Sequence, residues 1–584
     1  MSSFSSSSNS VIYVCANTGN DSNTGSESSP LKTIQCAANR SKPGTTILVQ
    51  PGIYRERVSP PVGGTSALPI VYKSAVPQQA IIRGSVPWRP DNQTDPLKNI
   101  YSGVLLDSDF TDTSGVDGPN PFKIRASVSP YGRNGYPESM FPDTKAKSDP
   151  NIIYNLGQVF VNDIMYKQCP YKTEMETESN TWYYDISNNE LFVNLHDTIS
   201  NCVIEITNQR RLFAPHTRGL RYIVVDGFII ERCGNNYPNK FWVIKENQQA
   251  GAVGTRTGSF WTIQNNIIRY ANTIGIDWGT EGGKSQDLEI GQNGNPSSSY
   301  GHVICNNIIS DNGAAGTASY MGKNITFCKN TVERNNNLYF YGKYRWESAG
   351  VKVHCPTNMV CSENIIRNNF CHGIWCDQGA GINAVIKYNV IQDNSGNGIN
   401  YEIGTNMSGN VLHNVFTGNY LNVAFVNSGG CLLSYNLFLD SKIADINTTN
   451  SVRNEDKWDS LNVQIYNNLF MYSPMYLQLT EPSAVSSRYM NNNKYAISDE
   501  SSDKRFKLTK QDKTKLDYGW NEWIDLWKKL NNGKNCDQSS TPWICHDAST
   551  DSLTTFDVLK IHDLSIDNVK DQIVGFMDKI FPFP

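Results

Sequence analysis

The chain has 584 residues, with 51 Lys plus Arg against 55 Asp plus Glu, for a formal net charge of −4. Charged residues make up only 18%, while Gly numbers 44 and Asn 65, so uncharged, turn-forming side chains carry most of the polarity. This balance argues against a nucleic-acid binder, which carries a basic stripe, and against a long helical protein, which would be rich in Ala, Leu, Glu and Lys; no run of about 18 apolar residues is present to cross a membrane.

The opening residues, from Met1 to Ser10, show neither a basic n-region nor an apolar h-region, so no signal peptide is visible. Residence inside the producing cell is the default expectation, with secretion or surface attachment as the alternative. Sequons at Asn20, Asn92, Asn324, Asn406 and Asn447 matter only in the second case. Val11-Ile-Tyr-Val reads as a strand, and Lys32 to Asn39 as a short amphipathic helix that covers the open end of a solenoid. Thr46-Ile-Leu-Val reads as strand, then turn, so residues 11–85 are expected to form a cap and first rungs. Residues 86–208 carry Pro- and Asp-rich loops and strands such as Gln158-Val-Phe-Val-Asn, Trp182-Tyr-Tyr-Asp and Leu191-Phe-Val-Asn, which predict an inserted β-sandwich-like domain. Rungs resume at Tyr222-Ile-Val-Val-Asp, and residues 209–504 are assigned to the main β-helix. After 505, Lys, Asp and the Trp520, Trp523, Trp527 series predict a helical packing segment, with a last strand near Val558.

The main repeat is Asn followed by two residues that are mostly apolar. It occurs at Asn266, Asn307, Asn330, Asn364, Asn389, Asn414, Asn436 and Asn468, with gaps of 41, 23, 34, 25, 25, 22 and 32 residues. A period of 22 to 25 with insertions, short strands and Asn or Gly turns predicts a parallel β-helix, the Asn side chains forming a ladder within one turn. A second column has the form Gly-apolar-x-y-z at Gly275, Gly350, Gly373 and Gly398. Strand alternation sends Ile276, Val351, Ile374 and Ile399 inward, together with Trp278, Val353, Cys376 and Tyr401. Outward then lie Asp277, Lys352, Trp375 and Asn400, and beside them Gly279, His354, Asp377 and Glu402.

Asp377 follows Asn364 by 13 residues and Glu402 follows Asn389 by the same 13, so the two acids fall in the same slot of consecutive rungs. Both are expected to face solvent about 5 Å apart, where mutual repulsion would raise one pKa. A carboxylate pair at that spacing suits a retaining glycosidase, one acid as nucleophile and the other as general acid and then base. Trp375 would offer an aromatic face to a sugar. Lys352 reads equally as the partner of a carboxylate or as a solvated charge, and His354 as a substrate donor or a ladder residue. Glu347, beside Trp346 in the Tyr344-to-His354 segment, is placed to accept hydrogen bonds from sugar hydroxyls. The fourteen cysteines permit disulfides. Cys305, Cys328 and Cys376 read as buried free thiols, whereas Cys536 and Cys545 are the best disulfide candidates. Phosphate-binding, zinc-protease, dinucleotide and nucleophile-elbow motifs are missing from the sequence.

Several stretches together are similar to glycoside hydrolase family 120. They include Pro51-Gly-Ile-Tyr-Arg-Glu-Arg-Val, Arg210-Arg-Leu-Phe-Ala-Pro, Gln248-Gln-Ala-Gly-Ala-Val-Gly-Thr, Glu347-Ser-Ala-Gly-Val-Lys-Val-His, Gly373-Ile-Trp-Cys-Asp and Tyr401-Glu. The resemblance covers roughly residues 11 to 480. It implies an all-β, right-handed parallel β-helix with an inserted β-sandwich, and a β-xylosidase activity. It further implies Asp377 as nucleophile and Glu402 as acid/base, with Glu347, Lys352 and His354 lining the sugar site; Trp346, Trp375 and Gln248 complete the candidate substrate-binding set. After Glu402 this chain carries Ile403-Gly-Thr-Asn where the family pattern has a polar-Gly-Pro run.

The expected activity is release of a sugar, β-xylose by the resemblance, from an oligosaccharide, without metal or cofactor and without a nucleic-acid or membrane partner; a homo-oligomer is left open. Two other classes stand beside it. One is a calcium-dependent polysaccharide lyase with Lys352 as base and Asp277, Asp377 and Glu402 as ligands. The other is a non-catalytic binding or structural β-helix.

Overall fold

The computed structural model describes residues 10–110, 120–124, 155–235, 251–280, 299–338, 348–378, 383–404, 409–450, 463–480, 489–498, 502–510, 512–530, 539–544 and 568–580. Glu347, Trp346, Gln248, Asn406, Cys536, Cys545 and the segment around Val558 lie outside the described residues. The chain divides into two compact units, one of Met1–Ser299, Ile309–Ala318 and Asn336–Glu347, the other of Tyr300–Ile308, Ser319–Asn335 and Ser348–Pro584. Both are built from parallel β-helix rungs.

In the first unit Ser10–Val14 pairs in parallel with Thr45–Val49, which pairs with Ile70–Ser74. The next strand in that sheet is Ile223–Asp226, with Ile223 opposite Ile70, and Thr262–Gln264 follows it. The solenoid thus closes its register across an excursion of the chain. Within the excursion, strands between Ser85 and Thr207 form an eight-stranded, mostly antiparallel sheet. Trp182, Phe122 and Val159 are among its buried apolar residues. The helix Ile34–Asn39 is capped by Thr33, whose side chain accepts from the Cys36 N–H. The Glu56 carboxylate accepts from the Ile34 and Gln35 N–H groups at the same helix start.

In the second unit the rungs stack in register on three sides. Strands such as Val360–Ser362 and Val385–Lys387 form one side, Ile365–Arg367 and Val390–Gln392 the next, and His372–Asp377 and Ile399–Gly404 the third. In-register stacking places equal positions one above another at the strand spacing of about 4.8 Å. Hence Phe416, Phe438, Phe470 and Tyr495 form a buried stack with centroid steps of 5.0, 4.9 and 4.9 Å. The helix Val569–Ile580 buries Val569, Ile573 and Met577 against Val390, Val415 and Leu437. The helix Trp520–Leu530 packs Trp523 on Phe506, with centroids 5.0 Å apart.

The asparagine column is a continuous ladder. The Asn364 N–H and side-chain amide both donate to Asn389 Oδ1 at 2.9 Å, and Asn389 does the same to Asn414 Oδ1 at 3.0 and 2.9 Å. The ladder runs on through Asn436 and Asn468 to Asn493. A second ladder joins Asn335, Asn369, Asn394 and Asn419. The residue before each ladder Asn is left-handed, even when bulky: Tyr388 (φ 57°), His413 (φ 52°) and Tyr435 (φ 55°). That single left-handed residue turns the chain from one sheet to the next. The second ladder also explains the recurrent glycine. A Cβ on Gly373 would lie 2.7 Å from the Gly398 carbonyl oxygen and 3.0 Å from the Asn394 amide nitrogen.

One cysteine expectation is overturned. Cys305 and Cys328 are joined by a disulfide between adjacent strands, with Cα atoms 4.7 Å apart. Both sit on the half-exposed side of their strands, so they are not core thiols. Cys376 is a buried free thiol.

Candidate active site

The strands Ala349–His354, His372–Asp377 and Ile399–Gly404 lie side by side in the second unit. Their register pairs Lys352 with Trp375 and Asn400, and His354 with Asp377 and Glu402. The inward positions are filled: Val351, Val353, Ile374, Ile399 and Tyr401 are fully buried and Cys376 is 2% exposed. The two acids therefore project from the outer face of neighbouring strands, about 4.8 Å apart at the backbone.

Solvent access differs from the expectation. Asp377 is only 5% exposed, whereas Glu402 is half-buried. Asp377 is covered by polar groups. Lys352 Nζ donates to Asp377 Oδ2 at 3.0 Å, and His354 Nδ1 lies 3.5 Å from the same oxygen. Asp377 Oδ1, also buried, meets no hydrogen-bond donor among the described residues. A buried carboxylate without a counter-charge is costly, and the Lys352 ammonium offsets that cost.

Lys352 is fully buried. Its ammonium lies 3.3 Å from the centroid of the Trp375 ring, in addition to its bond with Asp377. A desolvated cation over an indole face is held by about 2 kcal/mol. That face of Trp375 is thus occupied by the lysine and is not the open sugar platform that the sequence suggested. Trp375 is itself 6% exposed.

Two residues near this column were missed in the sequence. The Tyr320 ring lies 6.4 Å from the His354 ring, and the Met321 N–H donates to the His354 carbonyl at 2.9 Å. Burial, with the Cys355 charge as a smaller cause, pushes the Tyr320 hydroxyl up to about 12. The same offset of 13, counted from Asn307, falls on Tyr320 and would have found it. The second is His372, whose ring packs edge-on to Trp375 at 5.0 Å. Its Nδ1 accepts from the Asn397 N–H at 2.9 Å, which fixes the neutral ring with its proton on Nε2. Alternation hid His372, because it enters the strand before the repeated glycine.

The residue immediately after His354, Asp377 and Glu402 is left-handed in each case: Cys355 (φ 47°), Gln378 (φ 51°) and Ile403 (φ 55°). Ile403 is β-branched, and a β-branched residue in this region is a true outlier. Strain of about 1–3 kcal/mol is thereby held directly beside Glu402. Burial pushes the Cys355 thiol up to about 11, with the Asp377 charge adding to the rise, and the Cys376 thiol up to about 12. Neither thiol is a nucleophile near neutrality.

The family described as "Right handed beta helix region" matches residues 250–438. A second family, a protein of unknown function (DUF1565), matches residues 17–61. Among curated proteins, the uncharacterized protein YwoF of Bacillus subtilis (strain 168) is 29% identical over 90 residues, which is 15% of this chain and 19% of that protein. The match thus spans about a fifth of that relative's length. Among solved structures, the complex of XylC with xylose is similar at a TM-score of 0.66 and 20% identity, covering 86% of each chain. That likeness shows a shared fold. Pectate lyase Pel9A is similar at a TM-score of 0.38 and 13% identity, over 77% of this chain and 80% of its own.

Proposed function

We propose that the chain is a retaining glycoside hydrolase that releases a terminal sugar, β-xylose as the first choice, from an oligosaccharide. The observation that carries this reading is the asymmetric Asp377 carboxylate. Oδ2 is anchored by Lys352, and Oδ1 is left without a partner among the described residues. Such a group is held in one orientation, with its second oxygen uncommitted among the described residues. Glu402, opposite it on the next strand and more exposed, is placed to protonate a leaving oxygen.

In the first step Asp377 Oδ1 forms a bond to the anomeric carbon as the glycosidic C–O bond breaks and Glu402 gives its proton to the leaving oxygen. In the second step water gives a proton to Glu402, attacks the same carbon and frees Asp377. Two inversions retain the anomeric configuration. Lys352 pairs with Asp377 Oδ2 and keeps the carboxyl group oriented. The Lys352–Asp377 bond also speaks against Lys352 as the proton-abstracting base of a lyase, since that role needs a neutral amine.

The test is hydrolysis of an aryl β-xyloside, with the anomer first released read by proton NMR. Retention in the wild type is expected, with activity lost in Asp377→Ala and Glu402→Ala. Azide is expected to rescue Asp377→Ala and to yield the glycosyl azide of inverted configuration. Full activity in either variant, or an inverted product from the wild type, would overturn the reading.

A further inference from the structure

We infer that Trp375 is a positioning residue that acts through Lys352: its indole face clamps the lysine ammonium against Asp377 Oδ2 and thereby fixes the charge partner of the nucleophile. This inference rests on the glycosidase reading for its consequence in catalysis, but the clamp itself is a matter of geometry.

The register brings the three groups together. Lys352 and Trp375 are neighbours on adjacent strands, facing the same side, and Asp377 lies two residues beyond Trp375 on the same side. The lysine therefore lies over the ring and reaches diagonally to the carboxylate. Its Nζ is 3.3 Å from the ring centroid and 3.0 Å from Oδ2. The indole cannot swing away freely, because His372 packs edge-on against it and His372 is tied to the Asn397 N–H. The negative face of an aromatic ring attracts a cation without competing as a hydrogen-bond acceptor. It can hold the ammonium in place while leaving its protons for the carboxylate. Leu or Val there would bury the lysine as well, but would give it no electrostatic hold.

The charged and titratable groups around Asp377, among the described residues, are Lys352 and His354 on the preceding strand, Cys355 just after it, Cys376 on its own strand and Glu402 on the following one. Of these, Lys352 is the fixed positive charge. Loosening it weakens the ion pair that fixes Asp377 Oδ2, which the acidic limb of the rate profile reads.

The experiment grades the ring face without changing its shape. Tryptophans carrying none to four fluorines are placed at position 375 of the full chain, with Trp375→Leu as the extreme. Two readouts are taken: the acidic limb of the kcat/KM profile on an aryl β-xyloside, and the reductive methylation of Lys352 by mass spectrometry. The acidic limb is expected to rise with each fluorine, by about one unit over the series. Lys352 methylation, low in the wild type, is expected to rise in parallel. A flat response in methylation, or a limb that does not move while the protein turns over, overturns the clamp. Should the wild type cleave no aryl glycoside, the glycosidase reading falls, and graded methylation of Lys352 still upholds the clamp.

Discussion

The carboxylate of Asp377 and the ammonium of Lys352 form a buried pair, with Nζ 3.0 Å from Oδ2, on adjacent strands of one sheet. The acid is thus held through one oxygen. Replacing Lys352 by Met keeps the bulk and removes the charge. The acidic limb of kcat/KM is expected to move up by about one unit or more. Stability is expected to fall by about 3 kcal/mol, since a buried carboxylate loses its partner. A pH profile and a denaturant titration check both.

The asparagine ladder is expected to be costly to interrupt. Asn389 Oδ1 accepts the N–H and the amide of Asn364, while its own amide donates to the Cys361 carbonyl. Asn389→Ala leaves several buried polar groups unmatched at about 1–3 kcal/mol each. A loss of about 4 kcal/mol is expected in urea unfolding, whereas Asn383, which lies on the surface outside both ladders and donates to Asn358 Oδ1, should tolerate Ala with little change.

Asp445 ends the second run of polar links inside the solenoid and is fully buried, accepting from Asn422 and Ser473 through Oδ1. Burial pushes its carboxyl up to about 8, against hydrogen bonds that act the other way. The folded state then holds a proton that the unfolded chain has released above about pH 4. Stability therefore falls as pH rises through that window and levels off above about 8. Between pH 6 and pH 8 this amounts to about 2 kcal/mol. Asp445→Asn is expected to flatten that decline, as read from thermal melts at the two pH values.

Ile403 adopts φ 55° directly after Glu402. Ile403→Asn suits the left-handed region and is expected to raise stability by about 1 kcal/mol. A melting curve reads the gain, and kcat of the same variant reads whether the strain serves catalysis.

The solenoid and its phase were legible because in-register stacking forces a repeat. Asn389 and Asn364 must coincide for their amides to bond, and Gly373 must lack a side chain beside Asn394. The opposition of Asp377 to Glu402 follows from the same count. Three features escaped. The strand Ala315–Tyr320 was missed because Gly316-Thr-Ala-Ser-Tyr puts hydroxyls, not apolar groups, at the inward positions Thr317 and Ser319. The burial of Asp377 and the occupied face of Trp375 depend on where the long Lys352 side chain goes, which alternation does not specify. The Cys305–Cys328 bridge was read as two core thiols because the half-exposed side of a three-residue strand leaves little pattern.

The most direct measurement of the central claim is a trapping experiment with a 2-deoxy-2-fluoro-β-xyloside carrying a good leaving group. Peptide mass spectrometry of the stalled protein is expected to find one fluoroxylosyl group, attached to Asp377. Attachment to another residue, or turnover with an inverted product and no adduct, would contradict double displacement at this carboxylate.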